Sequence, residues 1–125
     1  MIHMEEMRQL LCRSYPGLRD RIVASADEWI GDDGEFIAHA WLSQLCILMQ
    51  QRFLQGDYEQ SAALFDLVER LLNEGDDSVK TAIATGFIEG LQHQQQLNSA
   101  LWQPLLGSSA TAHVRAMNSF YGLDN

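Results

Sequence analysis

The chain has 125 residues and a mass of 14.1 kDa, which suffices for one compact domain and is too short for two of ordinary size. Its 46% hydrophobic and 20% charged residues exclude the disordered and fibrous classes. Eight Lys and Arg against seventeen Asp and Glu give a formal net charge of −9, which argues against a nucleic-acid ligand because such affinity comes mostly from basic side chains.

Apolar residues at helical spacing predict helices along the whole chain, and no segment reads as a strand. The first predicted helix covers 2–13 and the second covers 18–29, with breaks at 14–17 and 31–34. The next segment, 35–54, carries apolar residues around most of its circumference. This distribution is typical of a helix at the centre of a domain.

An amphipathic helix is predicted over 58–73, and Gly75 is expected to end it as a left-handed C-terminal cap. Asp76 or Asp77 is expected to cap the start of the following helix, where a carboxylate also complements the helix dipole. That helix runs to about His93.

Gly86 and Gly90, four residues apart in this helix, are expected to let a neighbouring helix approach closely. A short helix follows within 98–106, and the final helix starts near 108 and closes at Gly122. We therefore predict a single all-α domain over 1–125, with about seven short helices in partly solenoid-like antiparallel pairs. No repeat recurs at a fixed period, so a true repeat protein is not expected.

Two of the four histidines follow a glutamate by four residues: Glu35 precedes His39, and Glu89 precedes His93. Two such pairs brought together could bind a divalent metal. The spacing differs from the Glu-x-x-His of ferritin-like sites, so a surface hydrogen bond or ion pair within each couple is the favoured interpretation. Neither a metal nor a cofactor is therefore expected.

Nucleophile and phosphate-binding motifs are absent from the sequence, which has neither a Gly-x-Ser-x-Gly elbow nor a Walker-type loop. Cys12 and Cys46 stand among apolar residues, which favours two buried free thiols. Cys46 follows His39 by seven residues, but so apolar a helix disfavours a reactive Cys/His pair. We expect no enzymatic activity.

The N-terminus is acidic and lacks an export signal, and no apolar run approaches the ~20 residues that span a bilayer. Together with the free thiols, these features predict a cytoplasmic protein with no membrane partner.

The negative charge is concentrated in the middle of the chain. Residues 1–26 have a net charge of +1 and residues 78–125 of zero, whereas 27–77 have a net charge of −10. Concentrated charge steers a partner of opposite sign and raises its association rate, so we predict a basic protein partner. A solvated acidic face without a partner is the alternative. The candidate contact residues are Asp32, Asp33, Glu35, Asp57, Glu59, Asp66 and Glu69.

Three stretches carry a family resemblance. Residues 65–79, FDLVERLLNEGDDSV, and 82–92, AIATGFIEGLQ, resemble a family of small all-helical bacterial proteins found among the immunity proteins of polymorphic toxin systems. The C-terminal part, with Leu-Leu-Gly at 105–107 and Phe-Tyr-Gly at 120–122, is similar to the C-terminal end of proteins in that family. These stretches cover less than half of the chain closely and contain no catalytic residues.

The resemblance implies a cytoplasmic antidote that binds a cognate secreted toxin domain and blocks its active site. Many such toxins are nucleases or other nucleic-acid-directed enzymes with basic clefts, which agrees with the acidic charge of this chain. The alternative is a helical adaptor or scaffold module that binds another host protein, either as a monomer or as a homodimer formed through an exposed apolar strip. The sequence leaves the oligomeric state and the identity of the toxin open.

Overall fold

Helices make up almost all the regular structure of the chain, as seen in a computed structural model that describes residues 1–93 and 99–120. The α-helices are α1 Met4–Ser14, α2 Leu18–Ala24, α3 Ala26–Trp29, α4 Ala38–Leu54, α5 Ser61–Glu74, α6 Asp77–Thr81, α7 Glu89–Gln92, α8 Ser99–Trp102 and α9 Ser108–Phe120. A π-helix, Ala82–Ile88, joins α6 to α7, and a 3₁₀ turn, Gln103–Leu105, follows α8. The predicted all-α class is confirmed.

The central helix is α4, as its apolar circumference predicts. It packs along the π-helix on one side and against α2 and α3 on another. Leu42, Leu45 and Met49 are fully buried in these contacts. Full burial of one such side chain stabilises a fold by about 1.5–3 kcal/mol, so α4 contributes much of the hydrophobic stabilisation.

The predicted helix 18–29 is divided at Ser25 into α2 and α3. The Ser25 hydroxyl donates hydrogen bonds to the carbonyls of Arg21 at 2.8 Å and Ile22 at 3.3 Å. A serine that bonds to the carbonyls of the preceding turn competes with the regular helical bonds. The regular helix is therefore interrupted at this residue.

A polar network ties α2 and α3 to α4. Gln44, which is 5% exposed, accepts a hydrogen bond from Arg21 Nε at 3.1 Å and donates one to Glu28 Oε2 at 2.7 Å. Because a buried amide without partners is costly, these bonds explain how a glutamine is accommodated on the central helix. They also fix α3, from which the next turn projects.

The helix predicted over 35–54 begins three residues later, at Ala38. Phe36 instead forms an antiparallel bridge with Ile30, and Ile37 N–H donates to the Trp29 carbonyl at 2.9 Å. The predicted start of this helix was wrong, because the pairing across the turn already satisfies the backbone N–H and C=O groups that would be hydrogen-bonded in a longer helix.

The helix predicted over 58–73 begins at Ser61, since Gln60 adopts a left-handed φ of 68°. Asp57 Oδ1 accepts a hydrogen bond from Glu59 N–H at 3.1 Å, which holds the preceding residues in a turn. This local bond outweighs the helical periodicity of the segment.

Gly75 is not a left-handed cap, because its φ of −70° and ψ of 157° are those of extended backbone. It forms a parallel bridge with Ile2, which brings the N-terminus onto the junction of α5 and α6. A Cβ at position 75 would lie 2.5 Å from both Leu71 O and Val79 Cγ1. Glycine is needed here for close packing, not for a positive φ.

The prediction that Asp76 caps the next helix is confirmed. Its Oδ1 accepts the Val79 N–H at 2.8 Å, and its Oδ2 lies 2.9 Å from His3 Nδ1. The Val79 N–H and then the His3 ring lower the pKa of the Asp76 carboxyl. His3 thus pairs with a helix cap that lies 73 residues away in sequence.

Gly86 and Gly90 face α4, as predicted for a close helix contact. A Cβ on Gly86 would lie 2.9 Å from Leu42 Cδ1, and one on Gly90 would lie 3.0 Å from Cys46 Sγ. The π-helical form of 82–88 was not predicted. The Cys46 thiol lies 3.6 Å from the carbonyl oxygen of Phe87, in position to donate a hydrogen bond.

Burial raises the pKa of Cys46 to about 12, so this residue remains a neutral thiol. The interpretation of Cys46 as a buried free thiol is confirmed, whereas Cys12 is only half-buried. No helix in the described ranges 1–93 and 99–120 is long and apolar enough to cross a membrane.

Candidate protein-binding surface

The turn between α3 and α4 presents three of the predicted contact residues, Asp32, Asp33 and Glu35, all of them exposed. At the tip of this turn, Gly34 has a φ of 83°. The turn is closed by a hydrogen bond from Gly31 N–H to the Glu35 carbonyl at 2.8 Å. Asp33 Oδ1 accepts the Glu35 N–H at 3.1 Å. Within the described residues, the side chains of Asp32 and Glu35 form no hydrogen bond or ion pair, which leaves both carboxylates available to a partner.

Aromatic packing holds this acidic turn against the domain. The Phe36 ring lies edge-on to Trp29 at 6.2 Å and to Trp41 at 6.4 Å between centroids. The Arg8 guanidinium stacks over the Phe36 ring at 4.3 Å. Each such contact contributes about 0.5–1.5 kcal/mol, so the turn is a fixed surface feature and binding would cost little ordering entropy.

Asp57 and Glu59 lie at the opposite end of α4, in the connection to α5. Both are exposed, next to Leu54 and Tyr58, whose exposed fractions are 60% and 50%. The 17 residues of α4 separate its two ends by about 25 Å. The structure therefore does not bring these two carboxylates together with the acidic turn.

The two predicted contact residues on α5 have different surroundings. Asp66 is exposed, whereas Glu69 reaches α9, where its carboxylate accepts the Ser109 N–H at 2.8 Å and the Ala110 N–H at 3.1 Å. Asn73 donates a third bond at 3.1 Å. Glu69 thus caps the N-terminus of α9 from a neighbouring helix, a structural role that the sequence analysis missed.

The environment of Glu69 acts on its pKa in two directions. Partial burial is the largest single influence and raises the pKa, but the bonds from Ser109, Ala110 and Asn73 together leave it below the ordinary value of 4.5. The folded state therefore favours the ionised carboxylate. Its stabilising effect is complete above about pH 4.5 and is lost as the pH falls through the lower folded-state pKa.

Glu69→Ala is expected to lower the free energy of unfolding by about 1–2 kcal/mol at neutral pH, because three donors lose a charged acceptor. Urea unfolding at neutral pH measures the loss, and repeating it below about pH 4 should show a smaller difference from wild type. Asp66→Ala, on the exposed side of the same helix, is the matched control, with an expected change within about 0.5 kcal/mol. Equal losses in both variants would contradict the capping role.

The two Glu/His pairs predicted from sequence, Glu35 with His39 and Glu89 with His93, do not form among the described residues. Glu89 Oε2 lies 3.1 Å from His113 Nε2 on α9, so the pairing expected with His93 was wrong. No hydrogen bond joins Glu35 to His39 in the part of the chain that the structure describes, because residue 35 lies outside the helix. Within the same part, no group of three or more His, Cys, Asp or Glu side chains is arranged to hold a metal ion.

The fold and its surface define an acidic all-α domain whose exposed candidate contact residues lie at both ends of α4 and on α5. Residues 8–118 match a family described as a domain of unknown function, DUF7674, and the chain belongs to this family. The match extends from α1 to α9 and includes all seven candidate contact residues. No curated protein and no solved structure matches the chain.

Proposed function

We propose that the protein is a cytoplasmic immunity protein that binds a cognate bacterial toxin domain and occludes its basic active-site cleft. The observation that supports this proposal most is the segregation of charge: a net −10 lies within 27–77, and most of those carboxylates are exposed. Such a surface attracts a basic partner, which raises the association rate, and repels acidic proteins, which makes binding selective.

The acidic turn is proposed as the first contact. Ile30 and Ile37, which flank it, are 42% and 38% exposed, so apolar area lies beside the free carboxylates of Asp32 and Glu35. Interfaces combine an apolar centre with a polar rim, and a stable one buries about 1,200–2,000 Å² in total. The fixed turn supplies charge for capture and hydrophobic area for slow release.

The experiment uses the protein encoded next to this chain in its genome, where a toxin-domain gene directly upstream is expected. Expression of that neighbour alone should arrest growth, and co-expression of this chain should relieve the arrest. Arrest that persists despite well-folded, well-expressed protein would overturn the immunity proposal and favour a helical adaptor instead.

Asp32→Lys combined with Glu35→Lys should slow association with the toxin domain by about tenfold at low salt, with a much smaller change in dissociation. Asp33 is retained because it stabilises the turn. Stopped-flow or surface-binding kinetics at several salt concentrations measure the effect, which should fade as salt screens the charges.

Glu6→Lys combined with Asp77→Lys is the matched control for this experiment. It changes the net charge equally, at exposed positions that are not among the candidate contact residues. If both double variants slow association to the same extent, net charge alone is responsible and the turn is not the contact surface.

A further inference from the structure

A basic pocket lies between α1, α2 and the ends of α3 and α4 of this acidic chain. Its volume is about 480 Å³, within the range of small-molecule sites. Arg8 and Arg13 of α1 and Arg19 of α2 line it, so three of the eight basic residues of the whole chain meet at one place. We call it the arginine pocket.

Most of this positive charge is not neutralised by the protein. Across the described ranges 1–93 and 99–120, Glu5 is the one acidic residue in the lining, and its carboxylate lies 2.6 Å from Arg8 Nη2. Within the described residues, Arg13 and Arg19 form no ion pair and no side-chain hydrogen bond. Two guanidinium groups, each with a planar set of donors suited to an anion, therefore remain available.

Gln9 and Cys12 also line the arginine pocket, and three apolar side chains form one of its walls. Ile22 and Trp41 are buried, and Trp29 is half-buried. Trp29 Nε1–H donates to the Ile22 carbonyl at 2.8 Å, which fixes the orientation of the indole ring. A fixed aromatic surface beside free cations is suited to a ligand that has both a ring and a negative charge.

We propose that the arginine pocket binds a small aromatic organic anion, whose acidic group pairs with Arg13 and Arg19 while its ring packs against Trp29. The acidic turn is joined to the pocket through Phe36, but in the described residues its carboxylates form no hydrogen bond or ion pair with the pocket arginines. The site is distinct from the proposed toxin contact, since its lining contains none of Asp32, Asp33 and Glu35.

The test uses 8-anilinonaphthalene-1-sulfonate as the anionic aromatic probe and N-phenyl-1-naphthylamine, which has the same rings without the sulfonate, as the neutral probe. Fluorescence titration should show saturable binding of the sulfonate at one site per chain. Arg13→Gln combined with Arg19→Gln should weaken it at least about tenfold, as expected for the loss of charged hydrogen bonds, and leave the neutral probe unchanged.

Arg70→Gln combined with Arg115→Gln is the matched control, because it removes two exposed arginines outside the arginine pocket. Equal weakening in the two double variants would overturn the proposal, since net charge alone would then be responsible. Equal weakening of both probes by the pocket variant would also overturn it, because the sulfonate would then not be recognised.

Cys12 gives a second readout on the unmodified protein. It lines the arginine pocket and is half-buried, whereas Cys46 is buried. Burial is the largest influence on the Cys12 thiol and raises its pKa, although Arg19 and Arg8 lower it in part. Saturating sulfonate should slow alkylation of Cys12 by iodoacetamide severalfold; an unchanged rate would overturn the proposal even if the arginine variants failed to fold.

Discussion

Gly86→Leu is expected to lower the free energy of unfolding by about 3 kcal/mol, because the contact between α4 and the π-helix has no room for a long side chain. A Cβ at this position already lies 2.9 Å from Leu42 Cδ1 and 3.6 Å from the backbone Cα of His39. Leu42 is fully buried and cannot move into solvent. Since domains of this size are stable by about 5–15 kcal/mol, the loss should be plain in urea unfolding.

Gly86→Ala is the control that separates close packing from backbone flexibility. The added methyl group meets mainly Leu42 Cδ1, the end of a rotatable side chain, while replacement of glycine in a helix gains about 0.8–1 kcal/mol. The two effects nearly cancel, so the alanine variant should stay within about 1 kcal/mol of wild type. If leucine were tolerated as well as alanine, the close contact would not hold these helices together.

The parts of the fold that follow from local pattern were predictable from sequence. Apolar spacing located the helices, the all-round apolarity of 35–54 placed α4 at the centre, and Asp76 caps a helix as its residue type suggests. Gly86 and Gly90 mark a close contact because a glycine pair four residues apart in a helix has few other uses.

The errors in the fold arise from contacts between residues distant in sequence or from bonds that compete with helical ones. Gly75 is extended because Ile2, more than seventy residues earlier, pairs with it. The start of α4 is displaced by the bridge between Ile30 and Phe36, and the break at Ser25 comes from a side-chain bond. Hydrophobic periodicity contains none of this information.

The candidate surface was predictable only in part for the same reason. The charge count identified the acidic segment but could not show that the turn at 31–35 and Asp57 lie at opposite ends of α4. Nor could it separate Asp66, which is exposed, from Glu69, which caps α9 some forty residues away. The arginine pocket was missed because its arginines are spaced irregularly and converge only when α1 packs against α2.

Gly75→Ala and Gly75→Asn should both lower the free energy of unfolding by about 3 kcal/mol, and the asparagine should be no better tolerated than the alanine. Either Cβ would lie 2.5 Å from Leu71 O, a backbone atom of α5 that cannot rotate away, and 2.5 Å from Val79 Cγ1. A left-handed cap would behave differently, because asparagine tolerates a positive φ better than alanine does.

Gly34 supplies the matched comparison, since it has a φ of 83° and no atom of the described residues would lie within 4 Å of a Cβ added there. At that position, alanine should cost about 1–2 kcal/mol from backbone strain alone, and asparagine should cost less. Urea unfolding of the four single variants measures both patterns. A clear advantage of asparagine at position 75 would mean that a positive φ, and not crowding by neighbouring atoms, is the reason for glycine there. The pairing of Ile2 with the junction of α5 and α6 would then not determine the backbone conformation of Gly75.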